Sequence, residues 1–158
     1  MVRKLLLIVV LLTSVLNVSA QHAYNEAIRK AKAVAEDRTK NLEERKIAAF
    51  KREALYYLGS QAYKQMPDSS VTMLDNQALA LYQFVNLYTT SLLNCPKKDR
   101  ADIMDLFTGI SLAHPKFHDP NKEYVLAYIT NQGYLTRFSL DTDWVAAYNE
   151  AKKRMGRP

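Results

Sequence analysis

Chemistry in this chain would have to come from few residues. There are three histidines, His22, His114 and His118, and a single cysteine, Cys95. His114 and His118 stand four apart with Asp119 adjoining, a spacing that on a helix presents two imidazoles to one metal ion. Pro115 lies between them, and a proline disfavours helix at the residue before it. Two readings remain. His114, His118 and Asp119 form a loop metal site, or the histidines are ordinary loop residues beside a helix start. No third strong ligand is evident, so the second reading is preferred and no metal or other cofactor is expected.

Catalytic patterns are missing from the sequence. It contains no G-x-S-x-G, H-E-x-x-H, Cys-x-x-Cys or glycine-rich phosphate loop. Asp99, Asp102 and Asp105 repeat at intervals of three, a slanting ridge on a solvated helix, and the first two fall where the helix dipole favours carboxylates. The chain is therefore expected not to be an enzyme. The enzymatic alternative is a hydrolase whose site assembles in space. It requires His114 or His118 hydrogen-bonded to a carboxylate in a cleft, with a nucleophile alongside.

Tyrosine is the residue in excess: ten, against one Trp and five Phe. Tyr56, Tyr57 and Tyr63 cluster in one segment, and Tyr124 and Tyr128 stand four apart in another. At the edge of a helical bundle such rings anchor a partner or stack on a sugar, or they seal the rim of the core with their hydroxyls wet. This is the sequence's one pointer to a binding surface.

The elements that must position these rings all read as helices. Ala23, Ala27, Ala31 and Val34 recur at helical steps. A second helix starts at Asn41 with Glu44 three residues on, a capping-box-like signature, and carries Ile47, Phe50, Ala54, Leu58 and Ala62 inward until Pro67. The third, from about Thr72 to Leu93, holds Leu74, Ala78, Leu81, Val85, Tyr88 and Leu92 at 3.6-residue spacing, with Leu79, Phe84 and Leu87 off that stripe. Apolar on more than one face, it should be the spine of the fold. A fourth runs to about Ala113 with Ile103, Phe107 and Ile110 inward. Asp119-Pro120 opens a fifth that ends near Gln132, before Gly133. Ser139 or Asp141 caps a last helix bearing Trp144, Tyr148, Ala151 and Met155 on one face. The fold class expected is all-α, a five- to six-helix bundle of antiparallel hairpins.

Residues 54–88 contain Leu55, then Leu58-Gly59, followed by Ala78, Tyr82 and Val85 at steps of four and three. This hairpin resembles a tetratricopeptide repeat, and the resemblance implies a TPR-like bundle whose work is protein binding. In that reading the small Gly59 lets the partner helix approach closely. The departures are an inter-helix segment, "MPDSSVTML", about seven residues longer than the family's turn, and the lack of a second copy at the 34-residue period. In general make-up the chain resembles small exported proteins of Bacteroidota.

The first 20 residues read as a cleaved signal peptide: Arg3 and Lys4, an apolar run from Leu5 to Leu16, then Val18-Ser19-Ala20. The run is shorter than the roughly 20 residues a membrane span needs. The mature chain, 21–158, is then one all-helical domain in the periplasm or outside the cell, without stable membrane insertion. Its formal charge falls from +6 to +4 once Arg3 and Lys4 are gone. Basic residues alternate with acidic ones instead of forming a stripe, which argues against nucleic acid. The expected function is a non-enzymatic interaction or scaffolding module for another envelope or secreted protein. Its surface is a groove between the second and third helices lined by Tyr56, Tyr57, Tyr63 and Tyr82. The alternative is a bundle that binds a small lipid, glycan or metal ligand in an internal cavity.

Overall fold

A computed structural model describes residues 22–68, 71–121 and 138–156. Within them lie α1 (His22–Glu36), α2 (Leu42–Gln65), α3 (Val71–Asn94), a 3-10 turn at Lys97–Asp99, α4 (Arg100–Ala113) and α5 (Trp144–Arg154), with no strand among the described residues. The protein is an all-α helical bundle. The expected leader (1–20), the helix expected from Pro120 to Gln132, and Tyr124 and Tyr128 on it lie outside the described residues.

Local signals set the helix ends. The Asn41 side chain accepts from the Glu44 backbone N–H at 2.9 Å, satisfying one of the donors a helix start leaves without an intrahelical partner. At α5 the cap is Asp143, whose carboxylate accepts from Ala146 N–H at 3.1 Å. This corrects the expectation of Ser139 or Asp141 as cap. Those two are buried: Asp141 holds the loop described below, whereas Ser139 is bonded through its backbone, its N–H donating to Ser111 Oγ, and its own hydroxyl has no partner among the described residues.

The antiparallel α2–α3 hairpin shows in its pairings. Lys51, early in α2, reaches Asn86, late in α3, while Leu58 and Ala62 pack near Met73 and Leu74. These two helices nevertheless touch sparingly; α1 packs chiefly on α2 and also on α3. Gly59 shows why. A β-carbon there would overlap the Tyr24 hydroxyl, which donates to the Leu55 carbonyl at 2.6 Å. Gly59 does admit a close neighbour, as expected, but the neighbour is α1 and not α3.

Six aromatic rings fill the core, all with under 2% of their surface exposed: Phe50, Phe84, Tyr88, Phe107, Phe138 and Trp144. Centroid separations of 4.9 Å for Tyr88–Phe138, 5.2 Å for Phe84–Phe107 and 5.5 Å for Phe84–Trp144 are tilted or edge-to-face, the geometry that the ring quadrupole favours. The third helix is the spine that its apolar faces imply, contacting α1, α2, α4 and α5. Its buried Gln77 ties it to α5: the amide nitrogen donates to Asp143 Oδ1 at 2.7 Å, and the amide oxygen accepts from Trp144 N–H at 2.7 Å. Among the described residues no helix is long and apolar enough to cross a membrane.

Candidate functional site

Three interactions seat α1 on the hairpin. Tyr24 N–H donates to Asp75 Oδ1 at 2.7 Å, Tyr24 Oη to Leu55 O, and Tyr82 Oη to Ala27 O at 2.8 Å. The two helices α1 and α3 run side by side there, and the alanines that face each other are too small to fill the space between them. A shallow cleft of about 270 Å³ results. Ala23, Ala27 and Ala78 form its apolar floor, Tyr82 and Leu79 its walls, and Glu26 and Lys30 its rim. Leu79 is 59% exposed, an unusual position for a large aliphatic side chain beside an apolar floor.

The rim is charged and internally paired. Glu26 meets Arg29 at 2.7 Å and Lys30 at 3.5 Å. The Arg29 hydrogen bond, more than any other influence, pulls the Glu26 carboxyl down to about 2. The Tyr82 ring is held from behind by Lys51, whose Nζ lies 4.3 Å from the ring centroid and donates to Asn86 Oδ1 at 3.3 Å. Burial pushes the Lys51 amine down to about 8. The carbonyl of Ala27 on one side and the ammonium on the other leave Tyr82 one orientation, so this wall of the cleft is rigid.

The four tyrosines expected to line one groove are dispersed. Tyr82 lines the α1–α3 cleft; Tyr57 lies against Phe117, ring centroids 6.4 Å apart, and donates to Asp119 Oδ2 at 2.7 Å. Tyr56 and Tyr63, seven residues apart on α2, share an exposed helix face. The four therefore do not sit together between α2 and α3: α1 lies over both helices, and the tyrosines of α2 and α3 meet different neighbours. Leu79 and Lys51 were missed as site residues. Leu79 had a signal in the sequence, as an apolar residue off the main stripe of α3. Lys51 had none.

The loop bearing the candidate metal ligands is organised by carboxylates, not by imidazoles. Asp141, buried, accepts from Phe117 N–H at 2.8 Å through Oδ1 and from Asp119 N–H at 3.0 Å through Oδ2. Asp119 in turn accepts from Tyr57 Oη, from Gln61 Nε2 at 3.2 Å and from Asn121 N–H at 2.8 Å. Burial first, then the hydrogen bond to Asp119 and the charges of Asp141 and Asp119, push the Tyr57 hydroxyl far above its ordinary pKa, so it serves as a donor at any physiological pH. Asp143 takes Lys116 at 2.9 Å besides its cap and Gln77. Burial opposes its charge, yet these donors outweigh it and hold the carboxyl below the ordinary aspartate range.

His118 is exposed with φ +54°, in the left-handed region. His114 contributes its carbonyl, which accepts from Asp143 N–H at 2.7 Å. Among the described residues neither imidazole hydrogen-bonds a carboxylate, and no group of three or more His, Cys, Asp or Glu is placed to hold a metal ion. The oxygens of Asp119 are committed to Tyr57, Gln61 and Asn121. What the arrangement does chemically is tie the loop to α2 and to the start of α5.

Compared with protein-family models, curated proteins and solved structures, the chain matches none.

Proposed function

We propose that the chain is a non-enzymatic interaction module whose partner is another exported protein, docked at the α1–α3 cleft. One observation carries this reading: Leu79, largely exposed, lies beside the alanines that line the cleft, one helical turn from Tyr82, whose hydroxyl is tied to the Ala27 carbonyl. A cleft of about 270 Å³ falls just below the range of about 300–1,000 Å³ in which small-molecule sites lie, and it opens to solvent. It suits one or two apolar side chains of an amphipathic helix or extended peptide, the mode in which such anchors are used. That favours a protein over the small-ligand alternative. On the rim one carboxylate, Glu26, is shared by two cations, Arg29 and Lys30, so the surrounding contacts favour a neutral or mildly acidic partner surface.

The test replaces Leu79 with a photoreactive benzoylphenylalanine in cells, with Lys153 replaced in a parallel strain as a control on an exposed position outside the cleft. One abundant partner captured from 79 and not from 153, and lost when Ala23→Lys blocks the cleft, is the expected result. A folded protein that captures nothing from position 79 sinks the reading.

A further inference from the structure

A second surface lies apart from the cleft, on the outer face of α2. Tyr56 is 46% and Tyr63 83% exposed. Both are on one helix, so the backbone fixes their spacing: seven residues advance about 10.5 Å and return to within about 20° of the same direction. Ser60, also exposed, lies between them on that face. From Ala54 to Tyr63 there is no charged residue, in a chain that is 24% charged.

Each of these facts narrows the occupant. The exposed parts of two tyrosines and the neighbouring Met66 amount to a few hundred Å², taking roughly 200 Å² for a whole aromatic side chain. A stable protein interface or dimer buries about 800 Å² on each partner, so the patch is too small for a second copy. Between the two rings the strip carries no charge, with Arg52 and Glu53 ion-paired at one end and Lys64 at the other, so it is better matched to an uncharged ligand than to an acidic peptide, a phosphate chain or an anionic lipid surface. Two exposed rings borne at a fixed backbone spacing on one face of a helix suit a ligand that is itself a ribbon with a repeat. A β-1,4-linked pyranose chain turns each sugar over relative to the last, so it offers the same apolar ring face at every second unit. That repeat matches the Tyr56–Tyr63 separation, and the C–H bonds of the sugar face meet the electron-rich face of the phenol.

The geometry points to a glycan-binding strip: Tyr56 and Tyr63 stack on alternate units of an uncharged β-1,4-linked sugar chain, with the Ser60 hydroxyl bonding the unit between. It stands on different residues from the cleft, so either reading can fail alone.

The experiment titrates the folded mature protein with chitobiose, chitotriose and chitohexaose by calorimetry. Three sugars are the shortest chain that reaches both rings. Chitotriose is expected to bind about tenfold more tightly than chitobiose, the size of effect that one added aromatic contact gives. Tyr63→Ala and Tyr56→Ala each abolish that step, and Tyr63→Phe preserves it because the ring face does the binding. Moving the second ring one turn closer, Tyr63→Ala with Ser60→Tyr, keeps two tyrosines and loses the step. All three positions are at the surface, and circular dichroism verifies that each variant folds. Wild-type protein that binds neither chitotriose nor chitohexaose overturns the proposal. So does chitotriose affinity unchanged by Tyr63→Ala, or a tyrosine-dependent dimer seen by sedimentation.

Discussion

Gly59 has no room for a β-carbon because the Tyr24 hydroxyl already occupies that space. The two residues lie on different helices, and the Tyr24 hydrogen bond to the Leu55 carbonyl fixes the ring there. A glycine inside an exposed helix normally costs about 1 kcal/mol relative to alanine, so Gly59→Ala would ordinarily stabilise α2. Here the tyrosine must give way and lose its acceptor. We expect Gly59→Ala to destabilise the protein by about 1 kcal/mol, and to stabilise it by a similar amount when Tyr24 is already Ala. Denaturant melts of the four proteins in this cycle decide the matter. Additive effects would mean that the ring moves freely.

Lys51 is the buried cation of the fold, held by an amide oxygen and a ring face with no carboxylate paired to it among the described residues. Its amine titrates near 8 in the native state and near 10.4 when unfolded. Between those values the unfolded chain binds more protons, so native stability rises as pH goes from about 8 to about 10. Below pH 8 both forms are charged and the desolvation cost is fully felt. Lys51→Met should therefore raise stability by about 1–2 kcal/mol at pH 7. The gain should fade toward pH 10. A pH series of thermal melts for the two proteins measures it, and a loss of stability at pH 7 would show that the Asn86 and Tyr82 contacts outweigh the burial of charge.

Asp141 holds two backbone N–H groups at once, those of Phe117 and Asp119. Asp141→Asn turns one of its acceptors into a donor facing a donor. The expected cost is about 2 kcal/mol. The local signature is more telling: amide exchange should quicken at Phe117 and Asp119 while the α3 amides around Leu81 keep their protection. Uniform acceleration across the molecule would show that Asp141 supports the whole fold and not the loop alone.

Much of this architecture was legible in the sequence because helices announce themselves locally. The stripe of α3 is buried from Ala78 through Leu81, Val85 and Tyr88 to Leu92, with Leu74 at its start half-buried, and Asn41 caps where a capping residue was expected. The cap of α5 lies two residues beyond one expected position and four beyond the other, since Ser139, Asp141 and Asp143 are all competent acceptors and only the tertiary fold divides their roles. Leu55, wholly buried in the same core cluster as Leu81 and Phe84, escaped the stripe assigned to α2 because how much of a helix is covered depends on the neighbours that pack on it. The site was less legible for the same reason. Tyr56, Tyr57 and Tyr63 sit within one helix, but which of them meets a loop and which meets water depends on Asp119 and α1, far away in sequence. Leu79 becomes notable only once the alanines of α1 are placed beside it.

Trp144, the largest ring in the core, belongs to the last helix, and its backbone is bonded to Gln77, 67 residues earlier in the chain. Synthesis runs from the other end, so Phe50, Phe84, Tyr88 and Phe107 are all made before the ring they close upon. A growing chain therefore carries an open aromatic face until α5 emerges, and docking of α5 is the step that closes it. A messenger truncated shortly before codon 144 would yield an adhesive set of helical hairpins with no lid on the core, not a slightly shorter version of the same protein.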